Sequence, residues 1–322
     1  MSEYRFTDEL ADYVDRSFDF QIPEVVDDAY RDAFDASLDA FYEKMFGDCP
    51  ERFAVGRIED RTIPHEGVQL PIRIYWPQDA PAAAPCMMMY HGGGFIAGSI
   101  KGLDYFSRYI CKNANRVVVS VYYRLAPQVR VPVCADDSYA ALMYVHRHAE
   151  ELGVDPNRIA VCGDSAGGNL STVMAMRAAQ QGFPLEKQVM VYPCVDMTVH
   201  DTPSRARYGV GYSLDVAELD KCSYLYVERE EDLRRPDVSP LLADDALIRG
   251  MAPAMIVMAG CCPLTSDCLA YAEKLRRCGV ETVARIYHNM PHSFIIFNYS
   301  ETYAAMDDIS AFLRGEALES CN

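Results

Sequence analysis

The segment Gly163-Asp164-Ser165-Ala166-Gly167-Gly168 sets a serine among small residues. It follows the apolar run RIAVC (158–162) and precedes the helix-like stretch NLSTVMAM (169–176). A G-x-S-x-G sequence at a strand-to-helix junction holds its serine on a sharp, strained turn with the hydroxyl exposed. Such a hydroxyl attacks acyl carbon once a neighbouring base takes its proton. The helix beginning there offers unpaired N–H groups and partial positive charge to a developing oxyanion. Taken alone, the motif also fits a glycine-rich turn with an incidental serine.

A second glycine segment, His91-Gly92-Gly93-Gly94, follows the apolar run CMMMY (86–90). Glycines let backbone N–H groups approach a substrate oxygen with no side chain in the way. Two such motifs in this order, each after a strand, point to a hydrolase that forms an acyl-enzyme. The base should then follow late in the chain. After the run TVARIY (282–287) comes His288-Asn289-Met290-Pro291-His292-Ser293-Phe294, and His292 lies far enough past the strand to reach back over Ser165. His288 reads as structural or solvent-facing, and His91 as a shaper of the glycine loop. His65, His146, His148 and His200 lie far from either motif and read as ordinary structural or surface histidines.

The elements that must position these residues follow from hydrophobic periodicity. Residues 1–50 carry apolar side chains at helical spacing: Leu10, Val14 and Phe18, then Ala33, Phe34, Leu38, Phe41 and Met45. They predict two amphipathic helices separated at Pro23. FAVGRIEDRTIP and VQLPIRIYWP alternate with period two and predict an antiparallel pair joined around His65–Gly67. Apolar runs then alternate with helical segments, which predicts a mostly parallel central sheet flanked by helices. Between Asp196 and Arg235 the alternation lapses into a polar, tyrosine-rich insertion. The expected organisation is cap helices in 1–50 and a catalytic domain in 51–322 with a cap insertion at about 197–235.

Across 322 residues, 47 Asp and Glu against 30 Lys and Arg give a net charge of −17. That surface repels phosphate backbones, so neither nucleic acid nor an anionic membrane is an expected partner. No apolar run approaches the ~18 residues of a membrane span. The N-terminus is acidic and unlike a signal peptide, so a cytoplasmic location is expected. No C-x-x-C pair occurs among the twelve cysteines, which are expected to be reduced, small core residues. No metal and no cofactor is expected.

HGGGFIAGS (91–99), YRLAP (123–127), DDSYAAL (136–142), GDSAGGNL (163–170), SPLL (239–242) and MPHSF (290–294) together resemble the bacterial hormone-sensitive-lipase-like carboxylesterases. The resemblance covers roughly residues 50–320. It implies an α/β-hydrolase fold with a helical cap, and cleavage of carboxylic esters. It further implies Ser165 as nucleophile, His292 as base, and the N–H groups of Gly93, Gly94 and Ala166 as the oxyanion hole. Arg124 and Asp136 or Asp137 resemble the family's structural polar residues. The expected partner is a small-molecule ester, and the reading admits a homo-oligomer. Aromatic residues Phe18, Phe34, Phe41, Tyr42 and Phe46, with Tyr208, Tyr212, Tyr224 and Tyr226, predict an aromatic, partly polar pocket for short acyl or aryl esters.

One position departs from the family. Its acid is an Asp before Pro-Leu after the penultimate strand, and here that stretch reads Ala259-Gly260-Cys261-Cys262-Pro263-Leu264. A neutral thiol orients a histidine poorly and does not balance an imidazolium. Four readings stay open: an engineered or chance replacement in a weakened enzyme; a natural thiol variant; another carboxylate, Asp267 or Asp196, in the acid's place; or a small-molecule binding protein on a hydrolase scaffold, like the plant gibberellin receptor. An acyltransferase is a further alternative.

Overall fold

The structure is a computed structural model that describes residues 22–47, 50–198 and 200–319. Side chains alternate along β1 (Arg57–His65) and β2 (Val68–Trp76), which pair antiparallel in register from Arg57↔Trp76 to His65↔Val68. Next come β3 (Ala84–Tyr90), β4 (Val117–Val121), β5 (Val154–Asp164), β6 (Leu185–Val191), β7 (Ala254–Cys261) and β8 (Thr282–Pro291). The eight strands form one sheet in the order β1-β2-β4-β3-β5-β6-β7-β8. From β4 onward every pairing is parallel. Parallel strands are covered on both faces, which explains why β3 and β4 are buried at every residue and read as unbroken apolar runs.

The covering helices are α1 (Asp28–Phe46), α2 (Asp104–Asn113), α3 (Val133–Arg147), α4 (Ala149–Leu152), α5 (Ala166–Gln181), α6 (Pro203–Tyr208), α7 (Val216–Tyr226), α8 (Asp245–Ile248), α9 (Thr265–Arg277) and α10 (Ser300–Arg314). The expected helix around Leu10, Val14 and Phe18 lies outside the described residues. The second expected helix is α1, which buries Leu38, Tyr42 and Phe46 at four-residue spacing. Arg31 docks it over the glycine loop, donating to the carbonyls of Ile96 at 3.0 Å and Ala126 at 2.7 Å.

The polar insertion is not irregular throughout, since it carries α6 and α7. Helix α6 starts with Thr202 as its N-cap, accepting from the Arg205 N–H, and Pro203 at the first helical position. The backbone N–H of Ile22 donates to Glu218 of α7 at 2.8 Å, tying the N-terminal segment to the insertion. All ten described cysteines that can be assigned are free and buried. The buried Asp137 pairs with the partly exposed Arg124 at 2.7 Å, and Arg177 meets Asp136 at 2.7 Å. Among the described residues, no helix is long and apolar enough to cross a membrane.

Candidate active site

Ser165 sits between β5 and α5 with φ 52° and ψ −117°. A non-glycine residue held there costs on the order of 1–3 kcal/mol, so its surroundings must fix it. They do so through the backbone. The Ser165 N–H donates to Val191 of β6 at 2.9 Å, and its carbonyl accepts from Asn169 and Cys194. The Asn169 amide donates to the Cys194 and Val238 carbonyls, both at 2.8 Å. The motif's glycines are required by close approach: a Cβ on Gly167 would collide with the Tyr90 carbonyl, and one on Gly163 with the Gly167 carbonyl.

Strand β8 ends at Pro291, so the next residue, His292, projects from the sheet's C-terminal edge toward the serine. Its Nε2 lies 2.9 Å from Ser165 Oγ. The imidazole is 4% exposed and packs 4.7 Å from the Tyr192 ring. Burial lowers its pKa to about 3, so the ring is neutral at ordinary pH.

Cys262 follows the end of β7, and its Sγ lies 3.3 Å from His292 Nδ1. The Leu264 N–H donates to the same sulfur at 3.4 Å. The thiol is 1% exposed. Burial pushes its pKa up, and the Leu264 N–H offsets only part of that rise. With Nε2 accepting the serine proton, Nδ1 carries the ring hydrogen and directs it at a neutral sulfur, a weak acceptor.

The two carboxylates considered as possible substitutes for the acid are engaged elsewhere. Asp267 Oδ1 meets His200 Nε2 at 3.1 Å, and its Oδ2 lies 3.7 Å from Arg205 Nη2. Asp196 accepts from the Thr198 N–H at 2.9 Å and hydroxyl at 2.7 Å. Burial raises the Asp267 pKa, and His200 and Arg205 counter it. Burial opposes charge on His200 too, yet the Asp267 contact and the Thr198 carbonyl carry its pKa upward. His200, expected as an incidental histidine, thus belongs to a knot joining the insertion to α9.

The glycine loop lies across the cavity from His292. Gly93 and Gly94 take φ of 105° and 62°, and a Cβ on Gly94 would strike the Cys222 sulfur. Ala166 opens α5, where helix geometry leaves its N–H without an intrahelical acceptor. His91 stacks on Tyr123 at 4.3 Å with its Nδ1 2.8 Å from the Gly92 carbonyl, and burial lowers its pKa to about 4. It stays neutral and braces the loop, as expected.

These groups open onto a cavity between the sheet's C-terminal edge and the covering segments. Its apolar walls are Phe34, Leu38 and Tyr42 from α1, Leu214 and Leu219 from the insertion, and Phe297 after β8. Of the aromatic lining expected from the sequence, Phe34 and Tyr42 reach the cavity, whereas most of the other named rings pack elsewhere. Phe41 meets Phe297 edge-on, Phe46 packs on Phe53 and Tyr105, Tyr226 stacks on Phe95, and Tyr208 packs against Tyr212. Tyr224 is 47% exposed. The rest of the wall comes from leucines that stand singly in the sequence, Leu38 on α1, Leu219 on α7 and Leu214 just before it.

A family model described as the alpha/beta hydrolase fold matches residues 87–296. An ethyl acetate hydrolase of Pseudomonas putida is 38% identical, across 71% of this chain and 73% of its own. Carboxylesterase NlhH of Mycobacterium tuberculosis is 38% identical, across 77% of this chain and 78% of its own. A hyperthermophilic esterase from the archaeon Pyrobaculum calidifontis superposes with a TM-score of 0.88 at 31% identity, covering 97% of this chain and 99% of that one. With a family match over most of the sheet and relatives aligned through both glycine motifs, the chain belongs to the α/β-hydrolase fold family, in its hormone-sensitive-lipase-like carboxylesterase branch.

Proposed function

We propose that this protein hydrolyses carboxylic esters through an acyl-enzyme on Ser165. The observation that carries the proposal is the 2.9 Å contact between His292 Nε2 and Ser165 Oγ on the strained turn facing the glycine loop. Ser165 Oγ bonds to the ester carbonyl carbon as its proton passes to His292 Nε2. The N–H groups of Gly93, Gly94 and Ala166 hold the oxyanion, and a donor of this kind is worth about 10²–10³ in turnover. His292 returns the proton to the departing alkoxide. Water then repeats the sequence at the acyl carbonyl and releases the acid.

Cys262 occupies the acid's place in this relay. Its neutral thiol keeps the ring positioned but supplies no negative charge to the imidazolium, so turnover is slow for the fold. Helix α1 and the insertion at about 197–235 act as the cap over the acyl group. Their apolar walls, without a lysine or arginine among the cavity residues, favour uncharged esters with short acyl or aryl groups.

The test is hydrolysis of p-nitrophenyl butyrate by the chain and by Ser165→Ala. Complete loss in the variant is expected. Activity retained by Ser165→Ala would remove Ser165 from the mechanism.

A further inference from the structure

The residue between glycine and serine in the first motif, Asp164, is not accounted for by the proton relay. It ends β5, is 6% exposed, and lies on the cavity wall. Its Oδ1 accepts the Gly92 N–H at 2.6 Å. Gly92 is the residue just before the two glycines assigned to the oxyanion. A Cβ at Gly92 would lie 2.6 Å from Asp164 Oδ2, so this loop residue has no room for a side chain because the carboxyl group fills that space.

We infer that Asp164 is a positioning residue that sets the oxyanion donors at the correct height over Ser165. This rests on the acyl-enzyme reading of the same site. The logic is geometric. The nucleophile turn and the glycine loop leave the sheet from adjacent strands, with Tyr90 of β3 opposite Gly163 of β5. Beyond that pair the ladder ends, and nothing in the sheet itself fixes how far the loop stands from the serine. The Asp164–Gly92 hydrogen bond spans that gap from the residue beside the nucleophile. The loop's far side is held separately, by Ile96 and Ala97 N–H groups donating to the Gly93 carbonyl at 3.0 Å each. With Gly92 tied to the turn and Gly93 tied to its own loop, the Gly93 and Gly94 N–H groups have little freedom to swing. An oxyanion hole gains its advantage from such fixed donors, since no reorganisation is left to occur during reaction.

An acceptor oxygen is what the position needs, and a formal charge is not. Asp164→Asn retains an oxygen in the same place, whereas Asp164→Ala removes it. The experiment measures kcat and KM for p-nitrophenyl butyrate in both variants beside the parent and Ser165→Ala, with thermal unfolding of each to compare folding. Expected is a fall in kcat of about 10²-fold for Asp164→Ala at nearly unchanged KM, the size of one lost oxyanion donor. Asp164→Asn should stay within several-fold of the parent. Equal losses in the two variants, or a change confined to KM, would overturn the inference. If Asp164→Ala does not fold, full loss in a folded Asp164→Asn overturns it just as well. Retained activity in Ser165→Ala would instead defeat the acyl-enzyme reading, and the two failures are separable on the same plate.

Discussion

The sulfur of Cys262 and the Nδ1 of His292 stand 3.3 Å apart, on the side of the imidazole away from Ser165. The geometry of an acid–base–nucleophile relay is therefore kept while its electrostatics are changed. A buried carboxylate there would hold an imidazolium by charge. A buried thiol, with its pKa pushed up, offers only a weak hydrogen-bond acceptor.

Restoring the carboxylate should raise turnover sharply. In Cys262→Asp, kcat for p-nitrophenyl butyrate is expected to rise by on the order of 10²–10⁴, the range by which neutralising the acid slows such relays. Cys262→Ser should change it by less than about tenfold, because one neutral group replaces another. Equal rates for Cys262→Asp and the parent would show that Cys262 is not where the relay is weak.

The pH profile should move with that substitution. His292 has its pKa lowered to about 3 by burial, so the base stays unprotonated through the mildly acidic range and the acid limb of kcat/KM lies far below neutrality. An ionised Asp at 262 favours the charged ring, raises the His292 pKa and carries that limb upward. Measuring kcat/KM from pH 4 to 9 in both proteins checks the sign. A limb that stays in place contradicts the assignment of His292 as the titrating base.

Asp267 and Asp196 should contribute little to turnover, since each is committed to partners outside the relay. Asp267→Asn is expected to keep kcat within a few-fold of the parent while lowering the unfolding temperature, because it weakens the knot with His200 and Arg205. A loss of about 10³-fold at unchanged stability would instead make Asp267 the working acid.

The cavity wall predicts acyl-length control. Leu38 stands over Gly102, where its Cδ1 lies 3.5 Å from the position of a Cβ, and both line the cavity. Leu38→Ala should favour octanoyl over butyryl esters by about tenfold relative to the parent, the scale of one or two methylenes in an apolar site. The ratio of kcat/KM for the two p-nitrophenyl esters reads it out.

Stability should carry the signature of Asp164. Burial raises its pKa to about 7, against about 4 in an unfolded chain. Between those values the folded state holds the proton and the unfolded state does not, so stability falls as pH rises from 4 to 7 and is level above. The titratable groups facing it, the buried Cys162 and Tyr123, have raised pKa values and stay neutral throughout. Asp164→Asn should flatten this slope and raise the unfolding temperature at pH 8. A parallel pH dependence in the two proteins contradicts it.

The parallel strands were legible because burial on both faces leaves unbroken runs such as CMMMY and VVVSV, and β1–β2 because one-sided burial leaves alternation. Ser165, His292 and Cys262 were legible because each follows a strand end within a local motif. The cavity wall was legible only in part. Phe34 and Tyr42 reach it, but its leucines resemble any packing leucine, while Tyr208 and Tyr212 pack on each other and Tyr226 on Phe95. Asp164 was hidden because the motif leaves that position unspecified, and its partner Gly92 lies 72 residues away. His200 and Asp267 were hidden for the same reason, at a separation of 67 residues.

Cys262 and His292 leave the ends of β7 and β8, whose ladder runs up to Cys261↔Pro291, whereas Ser165 leaves β5, with β6 in between. The sulfur and the imidazole are thus anchored to the last two parallel strands at one margin of the sheet and the hydroxyl to its middle. Any loosening of that margin carries the first two along together and stretches the contact between His292 and Ser165, along with the packing of His292 on Tyr192. On warming, loss of catalysis should therefore precede loss of structure, with the weak link at the seam between the sheet's centre and its last two strands.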